Sequence, residues 1–278
     1  MAGVKAVYVV TDLEGPAGVD NWDARHADYA AEAKGVYERA EQQRLLTGEV
    51  NAAAEGLQAS GVEEILINDG HGAGRTILPE ELISGVKIVR GTNRPRGLPG
   101  CSRRFDAMVQ VGMHAMANTP HACLAHTMSW GLVYRVNGIE VGEMEIVAYL
   151  MGQLGIPWIF TSGDLHACRE AERFMPGIVT APVKEGLSDL CAIHLAPVDA
   201  RRRIRDRIQQ AVAKAETLEP LTVEGPIVLE VERDEPWPTK LRPGAERVDP
   251  FTIRYTGDDF WQTYHLYGRG EANVPLPD

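Results

Sequence analysis

The 278-residue chain is poor in several features that would announce a function directly. Its four cysteines, Cys101, Cys123, Cys168 and Cys191, are widely spaced, and no two stand in C-x-x-C order. A zinc knuckle or a dithiol redox motif needs that spacing, so neither is expected. The cysteines read as reduced, mostly buried thiols of a cytosolic protein. No apolar run approaches the roughly 18 to 20 residues of a membrane-spanning helix. The apolar stretch near the N-terminus is too short for a secretion signal and reads as a first strand. Cationic charge is also scarce. Lys and Arg number 28 against 39 Asp and Glu, a net charge of −11. That balance argues against a nucleic-acid partner and against an anionic membrane face. Neither an internal repeat nor a low-complexity linker interrupts the chain.

What is present suits a globular α/β protein. Hydrophobic residues make up 44% of the chain, enough for a large core. Strand and helix signals alternate. "AVYVV" (6–10) is a short β-branched run, the signature of a buried strand. Residues 27–60, rich in Ala, Glu and Leu and followed by Gly61, predict one or two helices. Strands are predicted at 63–69, 86–91 and 107–112, with a loop at 94–100. Asn137-Gly138 between two β-type runs predicts a hairpin within 127–143. A helix over 143–155 stops at Gly155, with Pro157 beyond. A strand (158–164), a helix (164–175) and a strand (178–183) follow. Residues 197–218 form a long amphipathic helix with Ile204, Ile208 and Val212 on one stripe. Strands at 227–232 and 251–256 and a helix at 258–269 close the chain. The alternation predicts a parallel or mixed central sheet flanked by helices over residues 1–185, the catalytic part. Residues 186–278 are expected to form a smaller C-terminal α+β domain.

In such a sheet, sites form outside the carboxyl ends of the strands. Asp12 and Glu14 follow the first strand, His71 the second ("NDGHG") and His114 the fourth ("GMHA"). Glu143 opens the helix after the hairpin. Asp12 and Glu14 are spaced i, i+2, so in extended geometry they leave one face, and the Gly-Pro turn behind them leaves them open. Taken singly, each has a plain structural reading: a turn with a capping Asp, a surface-loop histidine, a core histidine. Their convergence on one sheet edge points to a site. Glu145 lies about 200° from Glu143 around a helix, so it cannot face the same small site and reads as a solvated or capping residue. His126 is a candidate further ligand or acid/base group. Cys123 beside it raises a Cys–His hydrolase, for which nothing else in the chain supplies the context. Mixed oxygen and imidazole ligation suits Zn²⁺ better than Mg²⁺ or Ca²⁺, and five candidate ligands suit a carboxylate-bridged pair of ions.

These motifs in this order, Asp12-Leu13-Glu14-Gly15, Asn68-Asp69-Gly70-His71, Gly112-Met113-His114-Ala115, a later His126 and Val141-Gly142-Glu143, resemble those of the DppA-type D-aminopeptidases. These are zinc metallopeptidases of dipeptide-permease operons. The likeness spans roughly residues 5–190. It implies Asp12, Glu14, His71, His114 and Glu143 as metal ligands and His126 as the catalytic histidine. It also implies a ring decamer with internal active sites, located in the cytoplasm. The chain departs from the family pattern at Met116, His121, Ala125, Thr127 and Glu145, changes that spare the ligand set and bear on substrate stereochemistry.

The expected chemistry is hydrolysis of short peptides or amino-acid amides by a metal-activated water assisted by His126. The rival readings are a two-metal phosphoesterase, against which the lack of a Gly-rich phosphate cradle counts, and a non-enzymatic solute-binding or assembly module holding a structural ion.

Overall fold

A computed structural model of the chain describes residues 3–72, 74–94 and 98–278. Of the loop expected at 94–100, Pro95, Arg96 and Gly97 lie outside the described residues.

Strand β1 (Ala6–Thr11) is buried along its whole length, as a strand covered on both faces must be. A 3-10 turn, Ala24–His26, is capped by Asp23, whose side chain accepts from the Arg25 amide. Helix α1 (Ala33–Ala59) is a single helix that starts later than the composition suggests, because residues 27–32 form turns. Its Leu46, Val50, Ala53 and Leu57 make one buried stripe. Next come β2 (Glu64–Asp69), β3 (Lys87–Val89) and β4 (Ala107–Met113). The hairpin β5 (Leu132–Val136) and β6 (Ile139–Val141) turns at Asn137-Gly138, both with positive φ. That backbone is what a tight primed turn requires.

The chain continues through α2 (Glu143–Gly152), β7 (Trp158–Asp164), α3 (Leu165–Phe174) and β8 (Val179–Ser188). β8 runs five residues past the expected strand end and pairs with β9 (Cys191–His194), an antiparallel edge strand not foreseen from the sequence. Helix α4 (Pro197–Lys214) buries Ala200, Ile204, Ile208 and Ala211 and packs on α1 and β8. Last are β10 (Ile227–Arg233), the two-residue β11 (Glu246–Arg247), β12 (Thr252–Gly257) and α5 (Phe260–Arg269).

Two sheets result. The larger has seven strands in the order β3-β2-β1-β4-β7-β8-β9, parallel except for β9. The smaller is antiparallel, in the order β11-β12-β10-β5-β6. The hairpin that follows β4 in the chain thus leaves the large sheet and pairs with β10, some ninety residues away. In the large sheet the chain winds outward from β1 to β3, then returns to place β4 on the other side of β1. The crevice outside the ends of β1 and β4 is therefore the topological switch point, where doubly wound sheets bind ligands. Among the described residues, no helix is long and apolar enough to cross a membrane.

Two glycines set the shape of that crevice. Gly15 donates to the Gly112 carbonyl at 2.8 Å. A Cβ on Gly15 would stand 2.3 Å from Gly112 C, and one on Gly112, whose φ is +79°, 2.3 Å from Asp12 O. Only residues without side chains let the two strand ends touch.

Candidate metal centre and active site

That close approach brings the residues singled out in the sequence together. The Asp12 carboxylate lies 2.8 Å from His71 Nδ1 through one oxygen and 3.1 Å from His114 Nε2 through the other. Glu14 Oε2 is 3.0 Å from His71 Nδ1. Glu143 Oε1 is 3.5 Å from His114 Nε2 and 3.6 Å from His126 Nε2. All six residues form one cluster. Within it, Asp12 with Glu14 and His114, and His114 with His126 and Glu143, each bring three ligand-type atoms within 4.8 Å of one another.

The donor set suits a divalent metal. Glu14 Oε2 and His114 Nε2 are buried without a hydrogen-bond partner. An unsatisfied buried polar atom costs about 1–3 kcal/mol, so such atoms converging on one space indicate a bound group. Carboxylate oxygens mixed with imidazole nitrogens fit Zn²⁺ chemistry.

Main-chain contacts orient the histidines. His114 Nδ1 lies 2.9 Å from the Ala115 carbonyl, and His126 Nδ1 lies 2.9 Å from that of Leu124. With Nδ1 held at a carbonyl, each ring presents Nε2 to the carboxylates. His71 is reversed: its Nδ1 faces Asp12 and Glu14, and its Nε2 lies 3.3 Å from Asp23 Oδ2. Asp23 is buried and paired with Arg39 at 2.6 Å and Arg25 at 2.9 Å. Nothing in "DNWDARH" separates this role from the helix-capping one that Asp23 also fills.

The Glu143 carboxylate is fixed from the opposite side. The Met128 amide donates to its Oε1 at 2.5 Å, and Met128 holds a left-handed backbone, φ +63°. His121 and Leu124 share that conformation at φ +64° and +58°. Non-glycine residues in this region cost on the order of 1 kcal/mol or more each, and a run of them around His126 is the pattern of a functional loop.

The groups perturb one another. Burial works to raise the Asp12 pKa, but the facing His114 and His71 rings outweigh it and hold the carboxyl well below its usual range. Burial and the Asp12 charge push Glu14 up to about 6. Burial opposes the charged forms of His71 and His114, yet the facing carboxylates raise both. Burial and the neighbouring His114 bring His126 down to about 4.

Beneath the site, the buried Lys184 donates to the Glu14 carbonyl and, at 2.6 Å, to that of Val19. It ties down the loop after β1. Glu145 is not solvated. It is fully buried and accepts from the Gly142 amide at 2.8 Å, while Glu170 beside it accepts from the Met116 amide at 2.8 Å. Cys123 is buried and burial raises its thiol pKa, while the His126 ring is committed to Leu124 and Glu143, which leaves no activated Cys–His pair.

Above the cluster opens a cavity of about 730 Å³. Asn68, Arg94, Trp22, Met128, Trp130 and Tyr264 are among the residues that line it.

The model of a family described as D-aminopeptidase matches residues 6–268. A D-aminopeptidase of Bacillus subtilis (strain 168) is 28% identical over 265 residues, 93% of each chain. The solved structure of the Zn-dependent D-aminopeptidase DppA from Bacillus subtilis, a self-compartmentalizing protease, matches with a TM-score of 0.83 at 25% identity over 94% of each chain. The match runs from the start of β1 into α5, across both sheets and every residue of the cluster, and the chain belongs to the D-aminopeptidase family.

Proposed function

We propose that this chain is a metal-dependent D-aminopeptidase that releases the N-terminal residue of short peptides or amino-acid amides. In this reading Asp12, Glu14, His71, His114 and Glu143 hold two zinc ions, and His126 is the catalytic histidine. The observation that carries it is the meeting of three carboxylates and three imidazoles from separate segments at the switch point, with buried ligand atoms left unpaired. Zinc, when bound, supplies a Lewis acid for the scissile carbonyl and lowers the pKa of a water.

The chain's own residues do the rest. Asp12, which reaches toward both His71 and His114 through different oxygens, would be a ligand available to both ions. The free amine of a substrate's N-terminal residue would be held on the side of the cluster formed by Asp12, Glu14 and Glu143. His126 is neutral near pH 7, so its Nε2 accepts a proton and returns it to the departing amine. The Leu124 carbonyl keeps the tautomer that this requires.

Family membership sets this reading above the phosphoesterase and binding-module alternatives. The zinc dependence and self-compartmentalization belong to the Bacillus subtilis protein. We extend them to this chain as two zinc ions per subunit and a cytoplasmic homo-oligomer, a ring decamer with its active sites inside.

The test is a screen of the zinc-loaded protein on paired D- and L-aminoacyl amides and dipeptides, with p-nitrophenyl phosphate alongside. Cleavage of the D-series, with two zinc ions per chain and a decamer by sedimentation velocity, supports the whole reading. Phosphatase activity without amide cleavage overturns it.

A further inference from the structure

The rings around His126 are arranged asymmetrically. His114 covers one face, with centroids 4.0 Å apart and planes 12° from parallel. Trp22 approaches edge-on at 5.3 Å and 71°. Trp130 leans on Trp22 at 4.5 Å. Met128, two residues from Trp130, lines the same cavity. Trp130 is 60% exposed and Met128 38%, so both present apolar surface to whatever enters. One exposed apolar side chain needs no explanation; two exposed ones, with the half-buried Trp22 on which Trp130 rests, lining one cavity beside a reactive histidine, form an apolar wall.

The wall has a defined place relative to the reaction, given the aminopeptidase reading above, on which this inference rests. The carboxylates lie on one side of His126, and the substrate's N-terminal residue belongs there. His126 returns a proton to the departing nitrogen. The substituent on that nitrogen therefore extends past His126, along Trp22, Met128 and Trp130. We infer that these three residues form the leaving-group subsite, and that it selects peptides whose second residue carries an apolar, aromatic side chain. Indole rings and a thioether offer broad, polarizable contact at small conformational cost.

The experiment compares kcat/KM for dipeptides that share D-alanine at the first position and carry glycine, D-leucine or D-phenylalanine at the second. With the zinc-loaded wild type, the D-phenylalanine peptide should exceed the glycine peptide by about tenfold or more, the usual discrimination of an apolar pocket. In Trp130→Ala that ratio should fall to near one, and Trp130→Phe should restore most of it. Sedimentation velocity on both variants checks that assembly matches the wild type. A flat wild-type profile overturns the subsite. So does an equal loss on all three peptides in Trp130→Ala, or a changed assembly state, which would make Trp130 a subunit contact. Failure of the wild type to cleave any D- or L-peptide overturns the aminopeptidase reading itself, and the subsite with it.

Discussion

His114 and His126 lie face to face, 4.0 Å apart, each anchored through Nδ1 to a main-chain carbonyl and each turning Nε2 toward the same Glu143 oxygen. Only His114 also reaches Asp12, at 3.1 Å. Two stacked rings of the same type thus serve different neighbours, and substitution should separate their roles.

His126→Ala should keep the wild-type zinc content and lose about 10²–10⁴-fold in kcat, the range of a positioned acid/base group. His114→Ala should lose zinc together with activity. Zinc stoichiometry by mass spectrometry beside steady-state kinetics reads both. Retained turnover in His126→Ala removes it from the mechanism, and an unchanged zinc count in His114→Ala removes it from the ligand set.

Asp23 fixes the far nitrogen of His71 at 3.3 Å. Carboxylates in this position orient metal-bound imidazoles, and their loss costs about 10–100-fold in metal affinity. Asp23→Asn should weaken zinc binding by that factor, with kcat returning toward wild type at saturating zinc. Competition with a fluorescent chelator measures the affinity. A wild-type value would mean that Asp23 serves only Arg25 and Arg39.

Glu49, on α1, is 2% exposed and accepts from the Ala17 amide at 2.9 Å. Burial pushes its pKa from 4.5 to about 8, against the pull of that hydrogen bond, Lys184 and Arg201. A carboxyl whose folded pKa is raised gives its stability below the unfolded value and loses it as pH climbs through the folded one. The wild type should therefore lose stability relative to Glu49→Gln by roughly 3 kcal/mol between pH 5 and pH 8. Urea unfolding of both proteins at the two pH values checks this. A gap that does not change with pH would show that Glu49 titrates normally.

Gly15→Ala puts a methyl 2.3 Å from main-chain atoms of Gly112 and Met113, which have no side-chain freedom to yield. The expected loss is roughly 3 kcal/mol or more, with zinc binding weakened because Asp12 and His114 are forced apart. Gly61→Ala, where nothing lies within 4 Å and φ is +85°, should cost only about 1 kcal/mol. Thermal melts of the pair test the comparison; equal losses would show that the contact between the two strand ends yields to a methyl group.

The strands and helices of the large sheet were legible because burial on both faces and helical stripes leave periodic traces in sequence. The cluster at the switch point was legible because Asp12, Glu14, His71 and His114 each follow a strand end. Other features had no such trace. β9 is a four-residue edge strand whose side chains alternate between exposed and half-buried, too short to declare itself. The pairing of β5 with β10 joins distant segments, and periodicity names a strand without naming its partner. Asp23 and Trp22 sit in an aperiodic loop. Lys184 and Glu49 are charged residues inside the core, against the ordinary preference of their type. Glu145 reads as a helix-start residue and does cap Gly142, but only the packing of α2 against α3 shows that it is buried.

The touching glycines also divide the active site by how freely it can change in evolution. At Gly15 and Gly112 there is no room for a side chain, so the two strand ends that carry Asp12 and His114 are held at a fixed approach. The rim is made of loops in which Met128 and Trp130 are exposed at the cavity. Directed evolution toward new substrates should accumulate its changes in the rim and leave the strand ends untouched, so that descendants differ in what they cut while cutting it in the same way.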